Sequence, residues 1–570
     1  MDEEQAKELV ETLRDANEEW LVRKQAVREL GNVLQEAVEE ATQLAMEEAY
    51  DSGGTEAVTR FRAGLGPRPH VASFVTEAIP HLEGALADEA CGVREEAART
   101  LGKLKDAAAP VVPALARLLR NDGKTSVQSA AATALQALGK VAAPAVPALI
   151  DALSDDATVV RLQAAGALGS MGSHAAPAVA ALTLCLADDG FAPGSGWMGG
   201  YVASRAAAAL GRLGQAATPA ISELAALLRS AGSGREGDVS ESAVRALGQL
   251  AKVVPAAADA LSDILADGSR TAPTARRHAA ESLGALGAAA GPHCGALTAA
   301  LSDATEAVRS KAAEALGHLG EAAKPALPEL VRLMHEDCDE DVRREAAKAL
   351  GNVGAAATDH VSFLLEALRS DPDFGVRTAA AKALGKLDAA AADTVPVLGQ
   401  RLLAEEVVFL QITIAQVLGQ LGELAGPAAA DLAQIIRIGK TAPLRETAAA
   451  ALTELGISAE PASACLGETV LKDSGDVGEA ALRTLARIGT AAAPAVKGLV
   501  EALHIQDWGT RQRAAVALGM LGQVASPALE QLTEVHRQAR DEPGVHAQAA
   551  SEAAAAAIQR ITCCLAENGT

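Results

Sequence analysis

The sequence predicts an all-α solenoid, a stack of about fifteen short helix pairs, on three observations. An Ala-Leu-Gly-like triplet recurs along the whole chain. Its Leu stands at Leu30, Leu101, Leu135, Leu168, Leu210, Leu247, Leu283, Leu316, Leu350, Leu384, Leu418, Leu452, Leu485 and Leu518, with a degenerate copy near Ala553. From Leu283 to Leu518 every step is 33 or 34 residues. Proline, aspartate and glycine punctuate each step at fixed offsets. Finally, 49% of the 570 residues are hydrophobic but only 2% aromatic, so the core must be built from small side chains at close spacing.

Each unit justifies its elements in order. Nine residues after the Leu comes a proline, at Pro110, Pro144, Pro177, Pro219, Pro292, Pro325, Pro427, Pro461, Pro494 and Pro527. Proline suits the first turn of a helix, where no N–H partner is lost. A short apolar helix follows, as in VPALIDALSDD at 146–156; we call it helix A. An aspartate thirteen residues before the next Leu, at Asp88, Asp122, Asp155, Asp303, Asp337 and Asp371, predicts with its neighbours a turn and a cap for a second helix. That second helix, helix B, reads VRREAAKALGNVG at 342–354, with apolar residues three and four apart and therefore one buried face. Its terminal Gly predicts a left-handed C-cap. Two such helices cannot bury their apolar faces alone, whereas a stack can.

The pattern resembles the HEAT-repeat family, particularly the short HEAT-like repeats named after phycobilisome lyases. The resemblance implies a right-handed superhelix with B helices lining the concave side. It also implies a ladder between the turn aspartates and Arg23, Arg94, Arg161, Arg276, Arg309, Arg343, Arg377, Arg445 and Arg511, interrupted at Gln128, Ala203, Ser240, Gln411 and Gly478. The chain is expected to be one continuous solenoid over 1–570. Residues 1–70 form an N-terminal cap with a long helix (about 19–50) and an inserted loop carrying Arg60, Arg62 and Arg68; 187–201 form an inserted Gly/aromatic loop; and 541–570 form a C-terminal cap helix.

Composition narrows the function classes. A net charge of -23 and a pI near 5.0 disfavour a nucleic-acid backbone as the main ligand, which needs a clustered cationic surface. The seven cysteines are odd in number, form no C-x-x-C and mostly sit in Ala/Leu-rich segments, so a reducing, cytoplasmic setting is expected. The acidic start MDEEQAKELVETLRD lacks the apolar core of a secretory leader, and no run of 18 apolar residues predicts a membrane span.

Catalytic signatures are scarce. Gly194, Gly196 and Gly199 match G-x-G-x-x-G, but they join two helices of a repeat instead of following a strand, which argues against a nucleotide loop. Phe191, Trp197 and Tyr201 in this loop are candidate partner-binding residues; the competing reading packs them on their own solenoid. One His-Glu dipeptide, His335-Glu336, cannot supply the several pairs of the di-iron hydroxylase built on similar repeats. No zinc, Walker or G-x-S-x-G motif occurs, so neither cofactor nor catalytic residue is assigned. Trp20, Phe374 and Trp508 share the slot ten before the Leu, read either as staples on the first turn of helix B or as exposed anchors.

The slots two before and two after the Leu lie one turn apart on helix B. They hold Arg28, Arg99, Arg245, Lys348, Lys382, Arg483, Lys103, Arg212, Lys386 and Arg487, with His318, against Glu281, Glu314 and Glu454. Helix-dipole preferences account for part of this bias. The alternative is a mildly basic groove for an acidic or phosphorylated protein segment, with Arg245, Arg277, His318, Arg344, Lys348, Lys382, Lys386, Arg483 and Arg487 as candidate contacts. The leading functional expectation is a protein-binding scaffold without enzymatic activity; the alternative is a chaperone or lyase for a tetrapyrrole-binding protein.

Overall fold

A computed structural model describes residues 3–15, 18–51, 69–190, 202–230, 236–268, 271–387, 391–472, 475–542 and 544–567. All regular structure among them is helical. The chain divides into two compact units, residues 1–286 and 287–570, and in each the expected helix pairs follow one another. The candidate loop residues Phe191, Trp197 and Tyr201, and the arginines Arg60 and Arg62 with Arg68, lie outside the described residues.

The repeat around Leu350 shows how the sequence makes the unit. Helix A, Leu327–Glu336, buries Leu327, Leu330, Val331, Leu333 and Met334. A turn at Asp337 to Asp339 reverses the chain. Helix B, Glu340–Val353, starts from Asp339, whose carboxylate accepts the Val342 N–H at 3.0 Å, and buries Val342, Ala346, Ala347, Leu350 and Val353. The same cap occurs at Asp373 and Asp507.

The link between repeats is more ordered than its Gly/Ala/Pro composition suggests. It forms a short 3-10 helix, and Pro110, Pro144, Pro177, Pro219, Pro292, Pro325, Pro427, Pro461 and Pro527 sit inside such segments ahead of helix A. Only Pro494 takes the expected place in the first turn of the α-helix itself. The terminal glycines have positive φ as expected, but Gly139 and Gly320 pair it with ψ of -128° and -132°. That is close to the positive-φ, extended region essentially restricted to glycine, instead of the left-handed helical cap. The reason is geometric: the chain must swing directly into the 3-10 turn.

The Gly of Ala-Leu-Gly has a separate purpose. A Cβ on Gly351 would stand 2.7 Å from Ala383 Cα in the next B helix. Gly317 meets Ala349, and Gly102 meets Ala134, in the same way. The triplet is therefore a helix-crossing device: Leu fills the core, Gly removes a side chain at the crossing, and Ala of the following repeat occupies the space.

At the ends, helix Trp20–Asp51 buries Leu30 and Leu34, and Val545–Glu567 packs against Trp508–Leu521 and Leu529–Asp541. Among the described residues one stretch, 125–152, reaches a mean hydropathy of 1.3 over an 18-residue window, and Gly139 at φ +58° breaks it into two helices.

Candidate partner-binding face

The turns are tied together by an arginine ladder. In the second unit Arg309 donates from Nε and Nη2 to Asp337 at 2.7 and 2.9 Å, and Arg343 does the same to Asp371 at 2.8 and 3.1 Å. Arg377 continues to Glu405 at 3.2 Å, where Glu replaces the usual turn Asp. In the first unit the rungs are Arg23 to Asp88, Arg94 to Asp122 and Arg161 to Asp188. Each arginine also donates Nη1 to a carbonyl of its own turn, as Arg309 does to Asp303 at 2.9 Å and Arg23 does to Glu18. Burial alone pushes the Asp337 carboxyl up, but the Arg309 hydrogen bonds, the Asp339 N–H and the arginine charges outweigh it, leaving it below its ordinary value. Two interruptions are filled rather than left open: Gln128 and Gln411 donate to the helix A carbonyls of Leu119 and Leu402 at 3.2 and 3.1 Å. These groups are consumed by structure and are not offered to a ligand.

The aromatic turn slots are all partly open, with Trp20 44% exposed. The Trp20 ring lies against Gly92 of the next B helix, and the Arg511 guanidinium sits 4.4 Å above the half-buried Trp508 ring. Phe374 is 49% exposed.

Most of the candidate cations on the B helices are already paired. Arg245 meets Glu241 at 2.5 Å, Arg483 meets Glu479 at 3.7 Å, and Arg487 meets Glu454 at 3.8 Å. Arg344 is held by Asp341, and Arg277 lies 3.1 Å from the His278 ring. His318 is exposed near the end of its helix. None of these six lines a cleft with another of the candidates in the described pockets.

Lys348, Lys382 and Lys386 are the exception. They line one open trough of about 340 Å³ across three successive B helices, Glu340–Val353, Phe374–Gly385 and Val408–Gln420. The rest of its lining is Asn352, Ala379, Ala383, Thr413, Gln416, Val417 and Gln420, with no carboxylate. Lys348 is neutralised from outside by Glu345 at 2.7 Å. Lys386 donates to the Asn352 oxygen at 2.6 Å, and Lys382 has no hydrogen-bond or ion-pair partner among the described residues. The repeat explains the convergence. Thr413 and Ala379 stand five before their Leu, Lys348, Lys382 and Gln416 two before, and Asn352, Lys386 and Gln420 two after, so all fall on one helix face. Counting charges alone found the lysines and missed Asn352, Thr413, Gln416 and Gln420, although the same spacing marks them.

No curated protein matches the chain. Among solved structures it is similar to Kap95p in a complex with RanGDP, at 14% identity over 99% of this chain and 95% of that one, with a TM-score of 0.37. An engineered protein matches at 20% identity over 86% of this chain and 99% of its own, with a TM-score of 0.28. Kap121p bound to the extreme C-terminus of the protein phosphatase Cdc14p matches at 14% identity, over 99% of this chain and 67% of that one, with a TM-score of 0.36. Superpositions of this quality say nothing of function. The family model for HEAT repeats, in contrast, matches residues 69–136, 112–192, 269–351, 327–419 and 361–453, together more than half of the sequence. With the helix pairs, the Arg–Asp rungs and the Ala-Leu-Gly crossings, this makes the chain a member of the HEAT-repeat family.

Proposed function

We propose that this HEAT-repeat chain is a non-enzymatic scaffold that recruits a partner protein through an acidic segment laid on its B-helix face. The observation that carries this reading is the trough of Lys348, Lys382 and Lys386, which has no carboxylate in its lining although the chain carries a net charge of -23. Three lysines gathered in one trough repel one another locally, and such a patch orients an acidic partner during encounter. A reducing, cytoplasmic setting belongs to the same proposal and rests on the cysteine usage. No observation favours the chromophore-handling alternative, and the lyase-type subclass of the repeats rests on sequence likeness alone.

The test is the triple reversal K348E, K382E and K386E in the full chain. All three side chains are exposed, so the fold is expected to persist. Partner recovery from the native cell should fall by about tenfold or more at low salt and by less at high salt. Unchanged recovery would assign the basic columns to helix-dipole stabilisation instead.

A further inference from the structure

We infer that the Lys348–Lys382–Lys386 trough is a receptor for a single phosphate monoester on the partner polypeptide, not for acidic residues in general. This rests on the scaffold reading above and names what its trough recognises.

Charge balance is the first argument. Of the three ammonium groups in the lining, Lys348 is matched by Glu345, and Lys382 and Lys386 face no carboxylate among the described residues. The excess is two positive charges. A carboxylate would leave one uncompensated, whereas a phosphate monoester carries about -1.5 to -2 near neutral pH and satisfies both.

The second argument is donor geometry. Lys382 lies in the last turn of Phe374–Gly385 and Lys386, four residues on, is its C-cap in helical conformation, so both stand on one side of that helix end. Lys386 is held toward the neighbouring helix by the Asn352 oxygen, an acceptor that positions it without cancelling its charge. Lys348 comes from that neighbouring helix. Three donors thus approach from two helices, which suits the several acceptor oxygens of a phosphate better than the flat pair of a carboxylate.

The third argument is the rest of the lining. Thr413, Gln416 and Gln420 come from the third helix and carry no charge. They are suited to polar, uncharged neighbours of the phosphorylated side chain. A run of acidic residues would instead gain from cations along the whole face, yet Arg245, Arg483 and Arg487 are matched by Glu241, Glu479 and Glu454. Lys382 and Lys386, both unmatched, instead share a single lining.

The experiment is competitive lysine acetylation of the purified full chain, read by mass spectrometry at each lysine. The probes are a short glycine- and alanine-flanked phosphoserine peptide, its serine and glutamate twins, and inorganic phosphate, all at one ionic strength. The phosphoserine peptide should slow acetylation of Lys382 and Lys386 by about threefold or more, through direct charge-assisted contacts. Lys472, which is 76% exposed and paired with Glu468, should not change. In K382Q the protection of Lys386 should be lost, and in K382R it should remain. Weaker protection by inorganic phosphate than by the peptide would place recognition on a polypeptide-borne group; equal protection by the two would overturn that part. Equal protection by the glutamate twin, or equal slowing at Lys472, would overturn the phosphate site. So would no protection by any probe, and if K348E, K382E and K386E together still reduced partner recovery, the acidic-segment scaffold would stand without it.

Discussion

Arg309 joins three segments of chain: its own helix, the carbonyl of its own turn at Asp303 and the carboxylate of the next turn at Asp337. Both partners are nearly buried, with side chains 14% and 5% exposed. Removing the cation leaves a carboxylate without its counter-charge, so R309A should destabilise its repeat by about 3 kcal/mol. R309K should recover only part, because an ammonium cannot make the two-pronged contact. Hydrogen exchange at the amides of Glu340–Val353 measures this locally, since a repeat array need not unfold in one step. The rung also makes a pH prediction. Asp88, Asp122, Asp188, Asp337 and Glu405 all sit below their ordinary values because arginine and backbone N–H groups outweigh burial. Their contribution is therefore complete above about pH 5 and is lost as the pH falls through the lowered native values. Acid titration by circular dichroism should show R309A losing less stability over that window than the parent chain. Asp431 has the opposite sign. Burial pushes its carboxyl up, and it has no hydrogen-bond partner among the described residues. D431N should stabilise the chain by about 1 kcal/mol at pH 7, and the gain should vanish as the pH falls and the native carboxyl protonates. Thermal melts of the two proteins at pH 7 and pH 4 decide it.

At the scale of elements, the contact that matters is B helix on B helix. Gly351 lies where a Cβ would stand 2.7 Å from Ala383 Cα and 2.8 Å from its Cβ, so G351A must push two helices apart. Backbone cannot give way as a flexible side chain can, and we expect a loss of about 1–3 kcal/mol. The same movement would widen the trough, because Lys348 and Ala383 lie on the two helices concerned. Denaturation followed by hydrogen exchange should show the loss in Glu340–Val353 and Phe374–Gly385 together.

Across the whole molecule, rungs are unevenly distributed. In the first unit Arg23, Arg94 and Arg161 make them, whereas Ala203 and Ser240 occupy the slot in helices Val202–Arg212 and Glu236–Ala251. A Ser204–Ser242 hydroxyl contact at 2.6 Å is a neutral substitute there. The amides of Val202–Arg212 and Glu236–Ala251 should therefore exchange about tenfold faster than those of Cys91–Lys103, a profile that one hydrogen-exchange experiment reads. The distribution of charge follows the same logic. Carboxylates are spent on arginine rungs at the turns and on pairing several B-helix cations, and Lys382 and Lys386 share one lining that holds no carboxylate.

The sequence alone determined the helix pairs, their period and the turns between them, because each depends on residues at fixed short separations; the ladder was what the family resemblance implied, and it forms at Arg94, Arg309 and Arg343 while Arg511 takes Gln538 and the Ile505 carbonyl instead. The sequence also determined which columns are basic, since a column is only a spacing. Tertiary structure decided three things. It turned the Gly/Pro link into a 3-10 helix, because neighbouring repeats dictate where the next helix A must begin. It showed which groove cations actually meet a carboxylate, as Arg487 meets Glu454 of the preceding B helix, a pairing that their shared slot two after the Leu allows but does not dictate. And it brought Lys348, Lys382 and Lys386 together with Asn352, Thr413, Gln416 and Gln420 in one trough, because only the packing of three B helices places residues 72 positions apart in sequence along a common wall.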